Sequence, residues 1–221
     1  MKNILCLSLV LLLNLTAFSQ SKNYVKTMQS SIESLFQAKT PEQYNAVINK
    51  LERIAQAETE AWEPYYYKAL AQVFQATKQS ESALMDEGLT QALISVEKSN
   101  GKSENNAETI ALRGFINMIK IGIDPATRGR TLGPEATMDF SKAIAIDASN
   151  PRAQLFMGQM TMGSAQFFGA SLEKPCAMID QSIVLFDESK KEDPLTPSWG
   201  KVSAVNYQEK CKVALALPTE E

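Results

Sequence analysis

The chain has 221 residues, 44% of them hydrophobic and 21% charged, and its formal net charge is −3 at pH 7. This mildly acidic balance argues against a nucleic-acid partner, because such partners need a clustered basic surface. The sequence contains no histidine, which removes the commonest general base, the commonest zinc ligand and the Ser-His and Cys-His nucleophile pairs. We therefore expect a protein that is not an enzyme and that carries no cofactor or metal.

The first 19 residues have the features of a cleavable signal peptide. Lys2 supplies a positive charge, residues 4–15 form an apolar run, and Ala17 and Ser19 are small residues of the kind that signal peptidase accepts. The run is too short to cross a membrane, which takes about 20 apolar residues. We expect cleavage after Ser19 and a periplasmic or secreted mature protein. Residues 20–221 are expected to form a single domain without a membrane span.

Apolar residues recur at helical spacing through the rest of the chain, and alternating runs of the strand type are absent. In the clearest case Ala136, Phe140 and Ala143 share one helical face. Asn150 then provides an N-cap and Pro151 a first helical residue, whose missing N–H would be unpaired in any case. This segment therefore predicts a helix, a tight connection and the start of a second helix.

The same reasoning predicts nine helices, at residues 24–38, 41–58, 62–77, 82–99, 105–121, 134–147, 151–167, 172–189 and 197–217. Taken in pairs they form four hairpins, at about 24–58, 62–99, 105–147 and 151–189, and the helix at 197–217 caps the last hairpin. Thr40 and Gln43 form a predicted capping box at the start of the second helix, in which each side chain bonds the backbone N–H of the other residue.

Several of these helices match the pattern of tetratricopeptide (TPR) repeats, in which aromatic, leucine and small residues recur at fixed positions. The matching residues are Tyr67, Leu70, Ala71 and Phe74 in the second hairpin, Leu112, Gly114, Ala136, Phe140 and Ala143 in the third, and Met157 and Gly158 in the fourth. The chain thus resembles exported bacterial TPR-like proteins, although its hairpins are longer than the family's 34-residue repeat. The resemblance implies an all-α, right-handed solenoid of helical hairpins with a C-terminal capping helix.

The resemblance also implies a binding surface. In TPR arrays the first helix of each hairpin lines the concave face, and exposed side chains there contact the ligand. Carried over by register, the positions implied as partner-binding are Tyr65, Lys68, Gln72, Gln75, Arg152, Gln159 and Met162. We expect these side chains to be exposed and to contact a protein or peptide partner.

A second candidate site is the segment 122–133, predicted to connect two helices. Arg128 and Arg130 flank Gly129, and two arginines beside a glycine are suited to holding a phosphate or a carboxylate. The alternative is a plain connector whose arginines pair with surface acids or helix ends, since the segment lacks the Lys-Ser/Thr ending of a P-loop. Both interpretations stay open at this point.

Two further features concern side-chain packing. Cys176 and Cys211 are the cysteines left after the signal peptide, and in an oxidising compartment they either form a disulfide or remain two buried thiols. Phe167 and Phe168 are expected to fill the turn of the fourth hairpin. Trp199 is expected to anchor the last helix.

Three functions are compatible with these patterns. The first is an exported, non-enzymatic scaffold that binds a protein or peptide on its concave face. The second is a small-ligand or anion-binding protein that uses Arg128 and Arg130. The third is a structural protein that associates with copies of itself. The sequence favours the first, because it offers neither a histidine nor a recognisable nucleophile motif.

Overall fold

The computed structural model describes residues 22–189 and 193–216, and within these ranges it contains helices and no strand. The helices are α1 (Lys22–Gln37), α2 (Pro41–Ala57), α3 (Glu63–Ala76), α4 (Ser82–Lys102), α5 (Ala107–Ile123), α6 (Pro125–Ile146), α7 (Pro151–Phe168), α8 (Glu173–Glu188) and α9 (Lys201–Ala216). The predicted signal peptide lies outside the described residues. No helix in the described ranges is long and apolar enough to cross a membrane.

Consecutive helices pack against each other as four hairpins, α1–α2, α3–α4, α5–α6 and α7–α8, and α9 packs on α8. The first helices of neighbouring hairpins also contact one another, α1 with α3, α3 with α5 and α5 with α7. The second helices make no comparable contact with each other in the described ranges. The array therefore curves towards its first helices, and the predicted all-α, TPR-like solenoid with a capping helix is confirmed.

Two predicted helix starts are confirmed at the level of individual hydrogen bonds. The Thr40 hydroxyl accepts from the Gln43 N–H at 3.4 Å, and the Gln43 side-chain oxygen accepts from the Thr40 N–H at 3.2 Å. The Asn150 side chain accepts from the Ala153 N–H at 2.8 Å, and α7 begins at Pro151. These side chains satisfy N–H groups that a helix leaves without internal partners.

The predicted connector at 122–133 is wrong, because α6 begins at Pro125 and continues through Pro134. Asp124 caps this start by accepting from the Thr127 N–H at 3.2 Å, so the chain turns directly from α5 into α6. Proline inside a helix costs a backbone hydrogen bond. Near its start, α6 is joined to α4 by the ion pair between Arg128 and Asp86. At the other end of the chain, α9 begins at Lys201 rather than at residue 197.

Small residues allow the paired helices to approach closely, as expected. Ala71 and Ala143 are fully buried. A Cβ atom on Gly158 would lie 2.9 Å from Ile179 Cγ1 and 3.3 Å from the Ile179 backbone nitrogen. On Gly114 it would lie 2.6 Å from Phe140 Cε1. Larger residues at these two glycines would push the helices of a hairpin apart.

A disulfide joins Cys176 on α8 to Cys211 on α9, with 5.6 Å between their Cα atoms. Of the two possibilities that the sequence allowed, a disulfide or two buried thiols, the structure has the disulfide. The bond and the α8–α9 packing fix the capping helix to the last hairpin.

Candidate functional site

The inner, first-helix side of the array carries a row of aromatic side chains. We call this row the aromatic groove, and it consists of Tyr66, Tyr67 and Phe74 on α3, Phe115 on α5 and Phe156 on α7. The rings of Phe115 and Phe156 are stacked, with centroids 4.3 Å apart and planes inclined by 13°. Because the first helices contact one another, side chains from three successive hairpins meet in one surface.

The groove is occupied by part of the connection between α8 and α9, residues 193–200, which we call the groove segment. It begins with a turn in which the Asp193 side chain accepts from the Leu195 N–H at 2.8 Å. Leu195 and Pro197 are buried and Trp199 is half-buried, whereas the residues between them are exposed. Leu195 belongs to the hydrophobic cluster of the first two hairpins, although it follows α8 in the chain. The apolar side chains at alternate positions are thus covered, and those of Leu195 and Trp199 contact the groove.

Side chains of the groove, rather than its backbone, bind the groove segment. The Tyr67 hydroxyl donates to the Leu195 carbonyl at 2.9 Å. Arg152 Nη1 donates to the Trp199 carbonyl at 2.9 Å, and the Trp199 indole N–H donates to Tyr66 Oη at 2.9 Å. The groove thus contacts two carbonyl groups of the segment and one large side chain.

The indole of Trp199 sits among three rings of the groove. Its centroid lies 6.2 Å from that of Phe74, 5.9 Å from Phe115 and 5.8 Å from Phe156. The Phe74 contact is edge-on, at 87°, which places the positive ring edge against a negative ring face. These contacts define a pocket for one planar aromatic side chain.

A buried ion pair holds the polar side of this pocket. Arg152 is 3% exposed and donates to Glu108 through Nε at 2.6 Å and Nη2 at 2.5 Å. The Asn150 amide also donates to Glu108, at 2.7 Å. Two parallel bonds from the guanidinium to a carboxylate fix its plane, so Arg152 is oriented with Nη1 towards the carbonyl of Trp199.

Burial and the carboxylate of this pair also affect the neighbouring Tyr66 phenol. Burial, together with the negative charge of Glu108, raises the pKa of the Tyr66 phenol well above its ordinary value. Tyr66 therefore stays neutral, and its oxygen accepts from Trp199 while its hydroxyl points to Glu108 at 3.5 Å.

Seven residues were implied as partner-binding by the TPR resemblance. One of them, Arg152, lies at this groove. Lys68 pairs with Glu52 on α2, and the Gln72 side chain accepts from Ser95 on α4 at 2.7 Å. Gln75 likewise donates to Asn45 of α2, at 2.9 Å. These three side chains bridge first and second helices, so the transferred register does not place them on the groove.

The other residues implied as partner-binding by the TPR resemblance are buried or half-buried. Tyr65 is half-buried beneath Lys98 of α4, whose Nζ lies 5.7 Å from the ring centroid. Gln159 and Met162 on α7 are buried, and Gln159 donates to Ser203 of α9 at 3.4 Å. The expectation that Arg152, Gln159 and Met162 are exposed is wrong, because the groove segment and α9 cover them.

The arginines of the predicted anion site are separated by the helix that contains them. Arg128 Nη1 donates to Asp86 of α4 at 2.5 Å, and Lys120 donates to the same carboxylate at 2.7 Å. Arg130 is exposed. Residues two apart on a helix face different directions, so Arg128 and Arg130 do not converge on one anion.

Phe167 and Phe168 do not fill the turn of the fourth hairpin. They are 81% and 77% exposed, and their rings contact each other edge to face at 5.0 Å. Two clefts of about 300 and 280 Å³ are lined by residues of the first hairpin. In the part of the chain that the structure describes, no group of three or more acidic, cysteine or histidine residues is placed to hold a metal ion.

The sequence patterns indicate little of the groove. They identify Tyr67 and Phe74 as residues of the repeat pattern and not as a binding surface. They predict that Trp199 anchors the last helix, and they give no sign of its contacts with α3, α5 and α7. The sequence signal for the groove segment is the alternation of Leu195, Pro197 and Trp199 with the polar residues between them.

The fold has been seen in a solved structure. The HusA haemophore from Porphyromonas gingivalis is similar, with a TM-score of 0.76 and 22% sequence identity over 91% of this chain and 99% of that chain. The MamA protein is a more distant match, with a TM-score of 0.43 and 14% identity over 89% of this chain and 99% of that chain. No protein-family model matches the chain, and no curated protein sequence matches it. The likeness to the haemophore shows a shared fold.

Proposed function

We propose that this chain is an exported, non-enzymatic scaffold whose aromatic groove binds a protein or peptide partner. The observation that carries the proposal is the groove segment itself. The groove already holds a short stretch of polypeptide by two carbonyl groups and one aromatic ring. A surface that binds one such stretch has the chemistry to bind another of similar pattern.

Two features support export. The N-terminal sequence has the charge, apolar run and small residues of a signal peptide. Cys176 and Cys211 are joined in a disulfide, a bond that persists in oxidising compartments such as the periplasm and the cell exterior.

The chemistry of the groove supports the non-enzymatic assignment. Its charged residues, Arg152 and Glu108, are fully engaged with each other and with Asn150 and Trp199. The tyrosine beside them has a raised pKa and stays protonated. None of these groups is poised to transfer a proton at neutral pH.

The test is a partner capture with matched aromatic variants. Phe115→Leu removes a stacked ring from the groove, whereas Phe168→Leu removes an exposed ring from the outer end of α7. A partner identified by capture from envelope extracts, and then purified, is titrated against proteins that all carry Trp199→Ser, so that the indole of the groove segment does not compete for the Phe115 ring. In this background Phe115→Leu should weaken binding about fivefold, because an aromatic pair contributes about 1 kcal/mol. The partner should bind Phe168→Leu equally well. A partner that loses affinity for Phe168→Leu instead would place the interface outside the groove.

A tetrapyrrole is the second candidate ligand, and the likeness to a haemophore favours it. The phenylalanine rings of the groove suit the face of a planar apolar ring system. With no histidine in the sequence, recognition would rest on the ring faces rather than on a histidine–iron bond. Titration with haemin and with iron-free protoporphyrin, followed by absorbance, tests this candidate. Saturable binding of both by the wild type, weakened in Phe115→Leu, supports it, and no saturable binding of either excludes it.

A further inference from the structure

We infer that the groove segment, residues 193–200, is an intramolecular ligand that a partner must displace, and that the partner therefore presents apolar residues at alternate positions followed by a tryptophan. This inference rests on the proposed function, since it describes what occupies the same groove and what competes for it.

The connection between α8 and α9 is longer than the two helix ends require. α8 ends at Glu188 and α9 begins at Lys201, yet Lys201 pairs with Asp187 at the end of α8. Helix-to-helix connections in bundles commonly take two to eight residues, whereas this one takes twelve and extends to Tyr67 on α3. Loops with adjacent ends that project away from them are frequently functional.

The groove segment can leave without releasing the capping helix. The disulfide between Cys176 and Cys211 fixes α9 to α8, and Gln208 of α9 donates to Asp180 of α8 at 2.7 Å. Neither contact involves residues 193–200. Displacement would therefore expose the groove while the stack of helices stays closed at its end.

The pivot of such a movement is Gly200. Its φ of 109° lies in a region that residues with a side chain rarely adopt, and a Cβ atom there would be 2.9 Å from Phe186 Cζ. This glycine lets the chain turn abruptly from Trp199 in the groove into the first turn of α9. The sharp turn separates the part of the chain held by the groove from the part held by α8.

The contacts of the groove segment specify its competitor. Tyr66 offers a hydroxyl oxygen to an indole N–H, which tryptophan has and phenylalanine lacks. Tyr67 and Arg152 offer donors to two carbonyl groups four residues apart, those of Leu195 and Trp199. A competing peptide thus needs a carbonyl at each of these places and an aromatic side chain that donates a hydrogen bond.

The experiment uses a synthetic peptide with the sequence of residues 193–200, capped at both ends and labelled for fluorescence anisotropy. It is added to the wild-type protein, to an open variant carrying Leu195→Ser and Trp199→Ser, and to a control variant carrying Thr196→Ala and Ser198→Ala. The control substitutions lie at exposed positions of the same segment. If the segment fills the groove at least about 90% of the time, the open variant should bind the peptide about tenfold or more tightly than the other two proteins. A peptide with alanine in place of tryptophan should bind it weakly.

The outcomes separate the inference from the proposed function. Equal affinity of the peptide for the wild type and the open variant overturns the inference and leaves the groove as a peptide site. No binding to either protein overturns both.

A second measurement keeps the test valid if the open variant does not fold. Trp62 and Trp199 are the tryptophans of the chain, so Trp62→Phe leaves Trp199 as the reporter. A saturating peptide with tyrosine in place of tryptophan keeps an aromatic side chain that donates a hydrogen bond, and it contains no indole whose emission would mask that of Trp199. It should shift the Trp199 emission to longer wavelength as the indole enters water. Binding without an emission change contradicts displacement.

Discussion

Replacing Glu108 by leucine should destabilise the protein strongly, because it leaves Arg152 charged and buried. The guanidinium is 3% exposed and directs Nε and Nη2 to the carboxylate at 2.6 and 2.5 Å. Glu108→Leu removes both charge-assisted bonds and leaves the carbonyl of Trp199 as the remaining acceptor. Removing one partner of a buried ion pair costs about 3–5 kcal/mol, and we expect about 4 kcal/mol here.

The converse substitution is expected to cost less. Arg152→Met leaves the Glu108 carboxylate with the Asn150 amide at 2.7 Å, and the Glu108 side chain is 15% exposed, so water reaches it. The double variant Glu108→Leu/Arg152→Met removes both charges and should cost clearly less than the sum of the single changes, since an apolar replacement of a whole ion pair is often close to neutral. The remaining cost comes from the unpaired Asn150 amide and Trp199 carbonyl, at about 1 kcal/mol each.

The assay is urea unfolding followed by far-UV circular dichroism, with the free energy of unfolding obtained by linear extrapolation. Glu209→Leu is the surface control, because Glu209 pairs with Lys212 in solvent and exposed pairs contribute little, about 0–1 kcal/mol. The reasoning is refuted if Glu108→Leu costs less than about 1 kcal/mol, the cost of an exposed pair. It is also refuted if the double variant costs the full sum, since the two residues would then act independently.

Three further predictions concern the scaffold. Gly158→Leu should lower the free energy of unfolding by at least about 2 kcal/mol, because the larger side chain overpacks the α7–α8 contact. Gly163→Ala on the same helix has open space around it and should raise the free energy of unfolding by about 0.5–1 kcal/mol. Thermal unfolding of both variants measures the contrast. Cys176→Ala/Cys211→Ala should lower the free energy of unfolding by about 3–4 kcal/mol for a separation of 35 residues, and a reductant that lowers wild-type stability should leave this variant unchanged. The hydrogen bond from Arg128, together with that from Lys120, lowers the pKa of the Asp86 carboxyl group. The ionised Asp86 carboxylate therefore stabilises the fold above its unfolded-state pKa of about 4, and this stabilisation is lost as the pH falls through the lowered folded-state pKa. The difference in urea midpoint between the wild type and Asp86→Asn should therefore shrink from pH 6 to pH 2, and a constant difference would contradict this reasoning.

Most of the architecture could be predicted because its signals are local. Thr40 and Asn150 cap helices through residues three positions away, and the sequence displays both ends of each bond. Small residues at Ala71 and Gly158 indicated close helix contact within a hairpin, whose two helices are adjacent in the chain. At α6 the local signal was misleading. Pro134 indicated a helix start, whereas α6 begins earlier, at Pro125, and continues through Pro134.

The binding surface could not be predicted in the same way. Register transferred from TPR repeats placed Lys68 and Gln75 on the concave face, but a shift of one residue on a helix rotates a side chain by about 100°. The structure directs both towards α2 instead. The aromatic residues beside them, Tyr67 and Phe74, face the groove.

The sequence by itself determined the helical class, the order of the hairpins and the caps that begin them, because periodicity and capping act over a few residues. Only the tertiary structure decided that residues 193–200 lie in the groove. The contacts that hold them join Tyr67 to Leu195 and Tyr66 to Trp199, across separations of 128 and 133 residues. No local pattern encodes such a pairing, since it depends on how three first helices come together. The same assembly buries Arg152, which the sequence alone presents as an ordinary surface charge.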